Sequence, residues 1–113
     1  MTVSDNYVAY VIDKLASVAP VKTRKMFNGL GVYRNQQLFA ILANNNIYFK
    51  TDAKSQKRYE SFGAKPFQPC GEDGIPSHYY QLPDLVLNDD KKLAQWMTRA
   101  CNASTKKSVS WVG

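Results

Sequence analysis

Histidine occurs once in this 113-residue chain, cysteine twice, and acidic residues only nine times. Each scarcity closes a class of function. The single histidine, His78, leaves little material for acid–base or triad chemistry. Paired with Cys70 it spans a loop spacing that dictates no geometry, and no third residue stands ready to orient it. An exposed or packing histidine is the favoured reading. Cys70 and Cys101 are too few and too far apart for a disulfide framework, so free thiols are expected. With no C-x-x-C pair, Cys70, His78 and Cys101 do not make a metal site. The acids are scattered, and Asp89-Asp90 has a sufficient role at a helix start, where the helix dipole favours carboxylates. G-x-S-x-G, H-E-x-x-H and Walker-type loops are all missing, and Gly29-x-Gly31 lacks the third glycine of a dinucleotide fingerprint. The expectation is a non-enzyme with no cofactor and no metal.

Long apolar runs are also lacking. None approaches the roughly 20 residues a membrane helix needs, so no membrane partner is expected. The opening MTVSDNYVAY carries neither a basic n-region nor an apolar h-region. It reads as no secretion signal, and a cytoplasmic location is expected.

What the chain does have is core-forming and basic material. At 44% hydrophobic and 12% aromatic it is one domain with a real core, not a disordered segment. Fifteen basic residues against nine acidic give a net charge of +6, enough to attract polyanions at low salt.

Hydrophobic periodicity organises these residues. Val8, Val11, Ile12 and Leu15 fall at i, i+3, i+4, i+7, which predicts a helix over 4–17 capped by Ser4 or Asp5 and ended by Pro20. Val21-Lys22-Thr23-Arg24-Lys25 reads as a lead-in. Residues 26–52 then read as three short strands joined by two tight turns, Arg34-Asn35-Gln36-Gln37 and Asn44-Asn45-Asn46, because asparagine best tolerates the positive φ of hairpin turns. Period-2 alternation puts Leu38, Ala40 and Leu42 on one face of the middle strand and Phe39, Ile41 and Ala43 on the other. Both sets are apolar, so the strand is expected to be central and covered on both sides. In the next strand Ile47 and Phe49 share a face; Tyr48 and Lys50 share the other, whose edge is expected to reach water. Gly29 and Gly31 predict close approach by a helix or another chain, or a bulge, with helix packing the favoured reading.

Thr51 or Asp52 can cap a helix over 53–62, with Ser55, Tyr59 and Phe62 inward and Gly63 as its C′ residue. A Pro- and Gly-rich loop over 64–77 leads to a short strand at His78-Tyr79-Tyr80-Gln81-Leu82. One helical turn over 84–87 follows, then a helix capped by Asn88 or Asp89 and running to about Asn102, with Leu93, Trp96, Met97 and Ala100 inward. The predicted class is α+β: an antiparallel meander of three to five strands packed on N-terminal, middle and C-terminal helices. Residues 1–103 form the domain. Residues 104–113 are a polar tail, or the start of a linker to an absent C-terminal domain.

The order Phe27-x-Gly29-x-Gly31-x-Tyr33, Leu38-Phe39-Ala40, Ile47-Tyr48-Phe49-Lys50 and Asp52, followed by Tyr59, Phe62, Pro66-Phe67, Tyr79-Tyr80-x-Leu82-Pro83 and Leu93 to Trp96, resembles the N-terminal domain of the TfoX/Sxy competence regulators. The family's first glycine usually follows its phenylalanine directly; here Asn28 intervenes. The resemblance implies a non-enzymatic transcriptional co-regulator of natural competence (DNA uptake). Such proteins act with the cyclic AMP receptor protein and the RNA polymerase machinery at promoters.

The residues themselves direct attention to the surface. Basic clusters occur at Lys22/Arg24/Lys25, Lys54/Lys57/Arg58 and Lys106/Lys107. The middle one falls at i, i+3, i+4, which places all three cations on one helix face. A solvated face is the plainer reading and a phosphate-contacting surface the sharper one. The candidate interaction surface is Lys54, Lys57 and Arg58 with the edge bearing Tyr48 and Lys50, extended by Lys22, Arg24 and Lys25. Helix-turn-helix, zinc-finger and RNP patterns are missing, so DNA contact would be weakly specific. A homo-oligomerisation module, built on an open sheet edge and on Trp111 of the tail, is the alternative from another class. A small-molecule sensor finds no polar cluster in the sequence to support it.

Overall fold

Two left-handed turns shape the sheet. In a computed structural model, which describes residues 5–26, 29–43, 45–67 and 78–110 and no side chain at 26 or 104–110, Asn35 and Gln36 have φ of 52° and 68°, and Asn45 has φ of 56°. Positive φ at both central residues is the type I′ geometry, whose twist matches that of the flanking strands. The chain runs α1 (Asp5–Ala16), β1 (Lys22–Met26), β2 (Gly29–Arg34), β3 (Gln37–Ala43), β4 (Asn46–Lys50), α2 (Ala53–Ser61), β5 (Tyr79–Gln81), α3 (Asp84–Leu87) and α4 (Asp90–Ser110). The five strands pair antiparallel in sequence order, so the α+β meander is as expected and β3 is its central strand.

Four local expectations change. The segment at Lys22 is no lead-in but the outer strand β1. Its cations give little strand signal, yet charged side chains are what a sheet edge uses to discourage unwanted pairing. Between β2 and β3 the register slips at Val32 and Tyr33 of β2, with Val32 opposite Ala40 and Tyr33 opposite Leu38 of β3. Phe39 is thus the extra residue of a bulge and joins Ala40 and Leu42 in the main core instead of alternating away from them. A Cβ on Gly29 would sit 2.0 Å from the Leu42 carbonyl oxygen, so the neighbouring strand's backbone, not a helix, demands that glycine. The face of β4 bearing Tyr48 and Lys50 does not reach water: those residues are 8% and 7% exposed. β5 pairs along β4, and beyond it Phe67 N–H donates to Tyr79 O while Gln81 N–H donates to Lys65 O.

The helices pack on one sheet face. Val11 and Leu15 of α1, Tyr59 of α2, Val86 and Leu87 of α3, and Leu93, Trp96, Met97 and Ala100 of α4 close over Val32, Phe39, Leu42, Ile47 and Phe49. Phe39 and Phe49 meet edge to face at 5.7 Å between centroids. On the other face Ile41, Ala43, Tyr48 and Phe67 form a smaller apolar cluster. Asp89 Oδ1 accepts the N–H groups of Lys91 and Lys92, capping α4 as expected. That helix continues through Ser110, beyond the end expected near Asn102. Among the described residues no helix is long and apolar enough to cross a membrane. The expectations for Ser4, Cys70 and Trp111 lie outside the described residues.

Candidate functional site

α2 is anchored at its start by a capping box. Asp52 Oδ1 accepts the Ser55 N–H at 2.9 Å, and Ser55 Oγ accepts the Asp52 N–H at 2.9 Å. Two orphan donors are satisfied reciprocally, with serine in the place glutamate usually takes. Phe62 ends the helix, and Gly63, at φ 77°, supplies the left-handed C′ residue. Between these limits Ser55 and Tyr59 point inward, while Lys54, Lys57 and Arg58 are exposed. Phe62, expected inward, is 45% exposed and meets Trp96 in a T-shaped contact at 5.5 Å between centroids.

Trp96 is the main contact between α2 and α4. Tyr59 packs on it at 4.7 Å, and the Arg58 guanidinium lies 5.9 Å from its ring centroid. One turn on, Arg99 Nε stands 3.7 Å from Asp52 Oδ2, a long and partly exposed ion pair. These contacts enclose a concavity of about 390 Å³ lined by Lys50, Lys54, Ser55, Arg58, Tyr59, Gln95, Trp96 and Arg99. Four of the eight lining residues are cationic and none is acidic. The Lys50 ammonium lies 5.1 Å from the Tyr79 ring centroid, a cation–π contact that orients its charge without neutralising it. Ser55 Oγ is occupied by the capping box, and burial holds the Tyr59 hydroxyl well above its usual range as a neutral phenol. The arrangement has cations and hydrogen-bond donors for an anion.

The structure therefore brings Lys50, Lys54 and Arg58 together but leaves Lys57 outside the lining, and it places Tyr48 in the second apolar cluster. Lys22, Arg24 and Lys25 are exposed on β1, where Lys22 and Arg24 line a separate hollow with Tyr33, Asn35 and Gln36. The two hollows share no residue. Sequence reasoning missed Gln95 and Arg99 as site residues. Their i, i+4 spacing was a signal that they share a helix stripe, but nothing local says that this stripe faces α2.

Cys101 is a half-buried free thiol with the Arg34 guanidinium 4.0 Å away. Burial raises its pKa more than Arg34 lowers it, which disfavours the thiolate. His78 is exposed, with Nδ1 3.4 Å from Gln56 Nε2; its carbonyl accepts from both Thr51 N–H and Thr51 Oγ1. Among the described residues no group of His, Cys, Asp and Glu is arranged to hold a metal ion.

The family model for the TfoX N-terminal domain matches residues 13–104. No curated protein matches the chain.

Proposed function

The chain belongs to the TfoX N-terminal domain family, and from that premise we propose that it is a non-enzymatic co-regulator of natural-competence genes, working in the cytoplasm with the cyclic AMP receptor protein and RNA polymerase at promoters. The observation that carries this reading is the placement of its cations. Lys22, Arg24 and Lys25 stand exposed on the outer strand, and Lys54, Lys57 and Arg58 stand exposed on α2. Clustered exposed cations on rigid elements suit a partner or a promoter complex of opposite charge. The test is co-precipitation of this chain with the receptor protein, with and without promoter DNA. Retention that is lost on charge reversal at Lys54, Lys57 and Arg58 is the expected result. No retention in either condition at micromolar concentration overturns the reading for this chain.

Direct, weakly specific DNA binding is the second reading, and the same clusters favour it. It requires log affinity to fall steeply with log salt and charge reversal to weaken all sequences about equally. A flat salt response removes it. The edge of β1 also bears on self-association. Two copies pairing antiparallel along KTRK would set cations opposite cations, which destabilises a ladder. Light scattering at high concentration should therefore show no dimer built on this edge.

A further inference from the structure

We infer that the concavity between α2 and α4 is a binding site for a small phosphate-bearing molecule, which extends the proposed regulatory role and shares Lys54 and Arg58 with it. Its volume, about 390 Å³, falls within the roughly 300–1,000 Å³ of small-molecule sites. Lys54, Arg58 and Arg99, with Lys50 in the wall, supply its charge, and no carboxylate lines it among the described residues. Asp52, 3.7 Å from Arg99, offsets one of the four lining cations. The positive charge left over is more than one carboxylate would neutralise, and a phosphate monoester at about −1.5 to −2 meets it better.

The groups are also suited in shape. A guanidinium presents donors in a fixed fork that fits phosphate oxygens. Arg58 is partly ordered in advance by the Trp96 ring, 5.9 Å away. The ion pair of Arg99 is long and, among the described residues, engages only Nε, which leaves the other guanidinium donors for a ligand. Gln95 and the neutral Tyr59 phenol add uncharged polar groups, while Trp96 offers apolar surface to the organic part of a ligand. The phosphate of a duplex is the other source of such a group. A duplex would engage the projecting cations of α2, and Lys57, which projects there, is not among the lining residues.

Trp96 is the reporter. With Trp111→Phe it becomes the protein's single indole, since the chain has two tryptophans. That protein is titrated with AMP, inorganic phosphate and adenosine, with folding checked by far-UV circular dichroism. Saturable change in emission is expected with AMP or phosphate and none with adenosine. Arg99→Gln and Lys54→Gln should each weaken binding by roughly tenfold, the size of one charge-assisted hydrogen bond. AMP binding at least tenfold tighter than inorganic phosphate identifies an ester as the ligand; equal affinity identifies free phosphate. The inference is overturned if neither saturates at millimolar concentration, if both variants bind unchanged, or if only duplex DNA moves the emission. Receptor co-precipitation on the same protein separates the two proposals. Retention without phosphate binding sinks this one alone, and phosphate binding without retention sinks the co-regulator reading alone.

Discussion

The Arg58 guanidinium lies 5.9 Å from the centre of the Trp96 ring, and the two residues belong to different parts of the energy balance. Trp96 is 6% exposed and sits in the main core. Arg58 stands on the surface of α2. A cation–π contact at such a site contributes about 0.5–1 kcal/mol, whereas removing a buried tryptophan costs about 3–5 kcal/mol. Arg58→Ala is therefore expected to lower the unfolding free energy by no more than about 1 kcal/mol, and Trp96→Ala by several times as much. Urea denaturation of both variants checks the ratio. A small cost at Arg58 is what makes its loss of binding interpretable.

Asp52 serves the helix and the site at once. Its Oδ1 caps α2 and its Oδ2 faces Arg99. Asp52→Ala removes both and should cost about 1–2 kcal/mol, most of it the cap. Asp52→Asn keeps a capping acceptor and loses only the charge, so most of the stability should return. Equal losses for the two variants would assign the effect to the ion pair instead.

Three tyrosines make alkaline stability a direct readout of packing. Burial first, then the Asp84 carboxylate, pushes the Tyr7 hydroxyl up to about 12, and burial followed by Tyr33 does the same at Tyr79, from an ordinary 10.0. Burial raises Tyr59 further in the same direction. Above pH 10 the unfolded chain releases these protons while the folded chain keeps them. The unfolded state then binds fewer protons, so stability falls as pH rises. The contribution is fully present below pH 10 and is lost progressively toward pH 12 and beyond. Denaturation midpoints measured at pH 8, 10 and 11 should fall modestly between the first two, because unfolded tyrosines are half ionised at pH 10, and more steeply by the third. Tyr79→Phe should flatten part of the decline.

Features that depend on neighbours within one helix turn or one hairpin were legible in the sequence. Asp52, Asp89, Gly63 and the Asn35 turn fill their expected roles, and the stripe of Leu93, Trp96, Met97 and Ala100 is buried. What escaped depends on residues remote in the chain. β1 is a strand because β2 offers it a ladder, against the preference of its own cations. Lys50 is buried because β5 and its continuation cover β4. The concavity needs Lys54 and Arg58 from α2 beside Arg99 from α4, and the orientation that brings them together is set by Tyr59 packing on Trp96. A search of the sequence for a polar cluster could not find a site assembled from two helices.

Gly29 offers a test of backbone packing. A Cβ there would meet the Leu42 carbonyl oxygen at 2.0 Å, the Leu42 carbonyl carbon at 3.0 Å and the Ala43 Cα at 3.2 Å. All three belong to backbone, which cannot swing aside as a side chain can. Gly29→Ala should cost at least the 1–3 kcal/mol typical of overpacking, and backbone amide shifts should move in β3 around Leu42. A neutral outcome would mean that β2 and β3 can part without loss.

Gln36 carries the opposite prediction. Its φ of 68° follows Asn35 at 52° in the turn between β2 and β3. Asparagine tolerates the left-handed region, but glutamine has no such local hydrogen bond and bears a steric cost of about 1–2 kcal/mol. Gln36→Gly removes that cost and adds about 0.5–1 kcal/mol of backbone entropy to the unfolded chain. The strain term is the larger, so the variant should gain up to about 1 kcal/mol, the Asn-Gly pair being the preferred type I′ sequence. Asn35→Gly, where little strain exists to relieve, should be neutral or slightly destabilising. Thermal midpoints of the two variants should therefore move apart, and a shared rise would show that both residues are strained alike.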